Sequence, residues 1–285
     1  MIQSMTGYGK SLVQLPSKKI TVEIKSLNSK NLDVNARVPS AYREKELEIR
    51  KQISKSLSRG KVDFNLYVEQ TSEETSTVIN EAAVKQYMKQ LAHITDGDPV
   101  ELMKMAVRFP DALQTERDEV NETEFNKITE AVAEALQSIN QYRTDEGKAL
   151  EADFQKRINN ISSLLDEVME LDPQRMDNVK ERLAKAVSDL KETVDENRFE
   201  QELVYYLEKY DITEEQVRLS NHLSYFSETL QNKTSNGKKL GFISQEIGRE
   251  INTIGSKANF APMQQVVVQM KDELEKIKEQ ALNVL

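Results

Sequence analysis

An α+β fold is predicted, and three observations predict it. The first 70 residues alternate apolar and polar positions, residues beyond 80 carry helical spacing, and Gly and Pro are scarce, at 9 and 6 of 285. Alternation with a period of two marks half-buried strands, whereas apolar residues at i, i+3, i+4 and i+7 mark amphipathic helices. The expected architecture is a small N-terminal antiparallel sheet with a covering helix, followed by long helices and a C-terminal helical bundle.

The elements follow in order. "KKITVEIKSLN" puts Ile20, Val22 and Ile24 on one face, and "NLDVNARVP" does the same with Leu32, Val34, Ala36 and Val38. Between them "NSKN" is a turn candidate, because Asn and Ser bond locally to the backbone. Pro39 ends the second strand. "AYREKELEIRKQISKSL" spaces Leu47, the stem of Arg50, Ile53 and Leu57 as a helix, with Gly60 as its cap. "KVDFNLYVEQ" then resumes alternation. After residue 80 strand signals vanish, and short helices are expected near 80–95 and 99–107.

Phe109-Pro110-Asp111 breaks the pattern, and long charged helices follow at 121–170 and 174–195 with an interruption at Leu171-Asp172-Pro173. Phe154, Ile158, Ile161, Leu165 and Val168 form a seam that packs on another helix, of this subunit or of a partner. In "YDITEEQVRLSNHLSYFSETLQN", Thr213 is an N-cap candidate with Gln216 completing a capping box, and Leu219, Leu223, Phe226 and Leu230 share a face. Leu240, Ile243, Ile247, Ile251 and Ile254 give a second apolar stripe. Val267, Met270, Leu274, Ile277 and Ala281 give a third, so a small bundle is expected. The chain divides into an N-terminal domain at 1–155, a helical connector at 156–199 and a C-terminal helical domain at 200–285.

Composition narrows the function. There is no Cys, so disulfides, thiolate metal ligands and a Cys nucleophile are excluded, and His93 and His222 are too few for a His-rich zinc site. No apolar run approaches the roughly 20 residues of a membrane span, and the N-terminus lacks signal-peptide order. A cytoplasmic protein without a membrane partner is expected. Net charge is −9, yet residues 1–70 hold 13 basic against 7 acidic residues, and residues 232–260 form a second basic island. Such asymmetry fits a nucleic-acid surface, or equally a basic part that packs on an acidic one.

The chemistry concentrates in "GFISQEIGREINTIGSKANF". Glu246, Glu250, Thr253 and Lys257 share one stripe beside the Ile243/Ile247/Ile251 face. On the preceding helix Glu214, Arg218 and His222 share a flank. If the two helices pack antiparallel, Glu246 and Glu250 meet Glu214, Asp211 or His222, an oxygen-rich set suited to Mn²⁺ or Mg²⁺. Lys238, Lys239, Arg249 and Lys257 would then hold phosphates. The same spacings equally describe ordinary i, i+3 and i, i+4 ion pairs, worth a few tenths of a kcal/mol each. His222 reads as a packed surface residue or a ligand, His93 as structural, and Gly255 as a helix C-cap. No phosphate loop, HExxH or dinucleotide fingerprint is present.

"MTGYGK", "EIKSLNSKNLD", "SRGKVD", "KYDITEEQVRLSNH" and "GKKLGFISQEIGREINTIGSKA" together resemble the bacterial YicC/YloC family, from the first residues to the last helix. The resemblance implies a cytoplasmic, divalent-metal-dependent endoribonuclease acting on single-stranded or structured RNA, with Mn²⁺ favoured over Mg²⁺, assembled as a ring-like homo-oligomer, a hexamer. Carried over by position, the motif includes Glu202, Asp211, Glu214, Glu215, Arg218 and His222. It continues through Gly237, Lys239, Gln245, Glu246, Arg249, Glu250, Asn252, Thr253, Ser256 and Lys257. Glu246, Glu250, His222 and Arg249 are then the expected catalytic residues, and Glu246, Glu250, Glu214 and Asp211 the metal ligands. Lys238, Lys239, Arg249, Lys257, Arg218, Lys30, Arg59 and Lys61 are the expected RNA contacts. One departure stands out: Gly241 occupies a position where the family usually has Asp. That favours one alternative, a non-catalytic RNA-binding adaptor; a helical scaffold that touches no RNA is the other.

Overall fold

A computed structural model describes residues 2–71, 77–115, 121–189, 196–232 and 236–285. The expected end of the second long helix at 195, and Lys233 of the basic island, lie outside the described residues. The N-terminal sheet holds strands β1 (Gly7–Gln14), β2 (Lys18–Leu27), β3 (Leu32–Arg37) and β4 (Gly60–Gln70) in the order β1-β2-β4-β3. β1 pairs antiparallel with β2, and β2 with β4, but β3 lies parallel to β4. The sheet is therefore mixed where a purely antiparallel one was expected. Helix α1 (Glu46–Ser56) is the crossover between β3 and β4, and a parallel pair requires such a crossover.

Strand β1 went unread in the sequence, for a reason visible in its packing. Its inward positions are small, and a Cβ on Gly9 would stand 2.1 Å from the Ala135 carbonyl oxygen. The strand thus lies on the backbone of helix α4 (Glu122–Asp189), which at 68 residues spans about 100 Å. Asn121 caps this helix, its side-chain oxygen accepting from Thr123 N at 2.9 Å. The expected break at Pro173 does not occur. Proline leaves the Met169 carbonyl without its usual donor, but Met169 faces solvent, and an Arg175–Asp172 ion pair at 2.6 Å braces the next turn.

Helix α4 is a spine shared by two cores. Its first half, with Phe125, Ile128, Val132 and Ile139, covers the sheet face made by Ile20, Val22, Ile24, Val62, Phe64 and Leu66. Helix α1 shares that cover through Ile49, Ile53 and Leu57, while Leu47, expected inside, is 70% exposed. Gly60 does not cap α1: at φ +120° it opens β4. Between β4 and the spine, helices α2 (Glu81–Ile94) and α3 (Pro99–Ala106) lie in the connection between β5 (Thr77–Ile79) and β6 (Leu113–Thr115), which pair antiparallel. Three-residue strands are too short to show a period, so this pair was not expected.

The second half of the spine, from Phe154 to Val168, packs with helices α6 (Thr213–Leu230), α7 (Gly237–Lys257) and α8 (Ala261–Ala281) in one cluster. The expected three-helix bundle is thus four helices, with α5 (Glu196–Tyr210) preceding it. All five residues of each expected stripe on α7 and α8 are buried. Gly255 is interior to α7 rather than its cap, and a Cβ there would stand 3.0 Å from Val267 of α8.

Strands of main-chain bonds join the two ends of the chain. Met5 N donates to Asn283 O at 2.8 Å and Leu285 N to Gln3 O at 2.9 Å. Gly237 N donates to Leu285 O at 2.9 Å, and a Cβ there would meet Val284 O at 2.2 Å. Buried Arg143 gathers the carbonyls of Met5 and Arg59 and the Ser26 hydroxyl, which fastens this junction to the spine. No described helix is long and apolar enough to cross a membrane.

Candidate functional site

Helix α7 positions the site. Asn236 caps it by accepting from Lys239 N at 3.1 Å, and its apolar stripe fixes its rotation against α6 and α8. At its C-terminal end Lys257 Nζ donates to Asp211 O at 2.8 Å and to Glu215 Oε1 at 2.9 Å. Near the opposite ends Lys239 lies 4.5 Å over the Tyr225 ring. Helices α6 and α7 are therefore antiparallel, as the metal hypothesis required.

The register has a consequence for the acids. Glu250 lies two turns before Lys257 on the same stripe, and His222 lies two turns after Glu215, so the two reach the same level of the seam. Glu250 is 7% exposed, and among the described residues its carboxylate makes no hydrogen bond or ion pair, its oxygens keeping a narrow access to solvent. Glu215 is equally buried, and its second oxygen, like the Gln216 side-chain nitrogen, has no partner. Burying a carboxylate without compensation costs free energy. Among the described residues, Lys257 is the cation that pairs with an acid of this seam, through Glu215 at 2.9 Å.

The other expected ligands go elsewhere. Glu246 lies 3.4 Å from Arg249, the ordinary surface pair that its spacing also allowed. Glu214 pairs with Arg218 in the open. Asp211 caps α6, accepting from Thr213 N at 2.9 Å and Thr213 Oγ1 at 2.7 Å; Thr213 itself makes no side-chain cap, contrary to expectation. Those bonds hold the Asp211 carboxyl below its usual range, with Lys257 and buried Arg175 adding to the effect. Among the described residues no group of three His, Asp or Glu is placed to hold a metal. The four expected ligands do not form a cage within one chain.

Asp211 carries a pH prediction. Because its folded pKa is depressed, its contribution to stability is present above the unfolded value of about 3.9 and fades as pH falls through the lower folded value. Thermal melts of the wild type and Asp211→Asn should differ at pH 6, and the gap should close as pH falls below the ordinary carboxyl range and through the lower folded value. A gap of constant size would refute the cap.

The cations divide into two groups. Arg218 and Arg249 project from the α6/α7 surface, with Arg249 76% exposed. Lys30 and Lys61 are exposed at the β3–β4 end of the sheet. Arg59 donates to Ser29 O at 3.2 Å, and the joined chain ends bring it to the same groove as Lys238. This groove, of about 620 Å³, runs between the N-terminal segment and the α7/α8 pair. Sequence reasoning missed Arg175 and Phe242, and read Gln216 only as half of a capping box, whereas its side-chain nitrogen is buried without a partner. Arg175 was hidden behind a proline read as a break, whereas Phe242, a lone aromatic opposite the apolar stripe, was a readable signal.

Such an arrangement, with a sheet and a helical bundle on one spine and cations beside buried acids, defines an α+β protein of mixed-sheet and helical-bundle class. Two family models match: "Endoribonuclease YicC-like, N-terminal region" over residues 2–152 and "Endoribonuclease YicC-like, C-terminal" over 168–285. The chain is 32% identical over 293 residues to "Probable endoribonuclease YicC" of Clostridioides difficile (strain 630), with all of both chains covered. It is 27% identical over 287 residues to the protein of that same name from Haemophilus influenzae (strain ATCC 51907 / DSM 11121 / KW20 / Rd), again over the full length of both. The chain belongs to the endoribonuclease YicC-like family.

Proposed function

We propose that this chain is a cytoplasmic endoribonuclease that cleaves single-stranded or structured RNA in RNA processing or decay. The observation that carries the reading is the α6/α7 seam, where Glu215 keeps one buried oxygen without a partner and Glu250 is 7% exposed, beside the cations of α7 in a chain of this family. In this reading Arg249 and Arg218 meet phosphate oxygens, where they complement developing negative charge. His222, half-buried at the level of Glu250, is suited to move a proton at neutral pH. Lys30, Lys61, Lys238 and Lys239 bind backbone without reading sequence.

Metal dependence, with Mn²⁺ preferred to Mg²⁺, belongs to the same proposal. Glu250 and the free oxygen of Glu215 are the donors this chain offers. A complete shell would draw on RNA phosphates, water or another copy in a homo-oligomer, proposed as a hexamer from the family resemblance. A bound divalent ion would supply Lewis-acid polarisation of a phosphate. Labelled RNA incubated with the purified chain should be cut with Mn²⁺ and remain intact with EDTA. RNA retarded in a gel but uncut under every metal tested would leave the adaptor reading standing instead.

A further inference from the structure

We propose that the groove lined by Arg59, Lys238, Gly241, Phe242 and Leu282 is a subsite that takes one unstacked nucleotide of single-stranded RNA. The proposal rests on the endoribonuclease reading, which supplies the ligand. Its volume of about 620 Å³ falls within the 300–1,000 Å³ usual for small-ligand sites. Phe242 is 63% exposed and Leu282 68%, so two large apolar groups stand open on the walls of one groove. An exposed aromatic ring accepts any base by stacking. Among the described residues neither Lys238 nor Arg59 is paired with a carboxylate, whereas Lys278 on the α8 wall is held by Glu275 at 2.7 Å. The free cations therefore gather on the α7 and sheet side, where a phosphate would lie, and Glu279 on α8 disfavours it opposite.

Gly241 is the second observation. A Cβ placed there meets nothing within 4 Å, and the residue does not have a positive φ. Neither packing nor backbone conformation demands glycine, which is a poor helix former. The missing side chain instead leaves the groove floor open beside Phe242, so that a flat ring can approach the α7 backbone.

The test is fluorescence anisotropy of a labelled single-stranded hexauridylate with the full chain in EDTA, alongside a cleavage assay in Mn²⁺. Phe242→Ala and Gly241→Leu should each weaken binding about tenfold with unchanged circular dichroism, since both positions are open to solvent. Tyr142→Ala, which removes a half-exposed ring from the spine, should bind as the wild type does. Wild-type binding by both groove variants, or no binding by the wild type, overturns the subsite. Cleavage intact with groove variants binding normally defeats the subsite alone. Weakened binding in a chain that cuts no RNA defeats the nuclease reading alone.

Discussion

Replacing Glu250 by Gln is expected to lower single-turnover RNA cleavage roughly a hundredfold or more while RNA affinity and fold persist. The substitution keeps shape and removes one charge. Glu250 is 7% exposed with no bond or ion pair to lose. A side chain kept for structure would destabilise the protein when neutralised. A carboxylate kept for chemistry, at a cost in stability, should leave the melting temperature equal or raised. Glu246→Gln, which loses only a surface pair with Arg249, should change cleavage several-fold at most. Unimpaired cleavage by Glu250→Gln, or a markedly lowered melting temperature, would remove Glu250 from the site.

Gly9→Val is expected to produce the largest loss of stability, about 3 kcal/mol, seen as a lowered urea midpoint. Its Cβ would fall 2.1 Å from Ala135 O and 3.0 Å from Ile139 N. These are backbone atoms of the spine and cannot swing aside, so β1 must lift away from α4. Gly241→Ala, with nothing within 4 Å, should instead stabilise by up to about 1 kcal/mol. Opposite signs for two glycine substitutions would separate close approach from open space. Equal effects would refute the packing described for β1.

The same contrast explains what the sequence could reveal. The stripes of α6, α7 and α8 were legible because a buried face must repeat near 100° per residue, whatever it packs against. Strand β1 was not, because Gly7, Gly9 and Ser11 face the spine and leave no apolar alternation to detect. Pro173 looked like a terminus because its missing donor is read locally, whereas the burial that carries the helix past it is tertiary. In the site, spacing placed Glu246 and Glu250 on one flank but could not decide which acid would turn to an arginine. Arg249 takes Glu246, and helix packing takes Glu250 out of the solvent. Family resemblance supplied the endoribonuclease reading; spacing alone favoured a salt-bridged surface.

The pairing of Met5 with Asn283 and of Gln3 with Leu285 sets a timetable for synthesis. A ribosome adds roughly 5–20 residues per second, so the opening segment waits on the order of 15 to 60 seconds for its partner to be translated. Until then the rim of the sheet and the ring of Phe242 lack their finished surroundings. Folding helpers that shield nascent apolar surface would find this junction unfinished until residues 283–285 are translated.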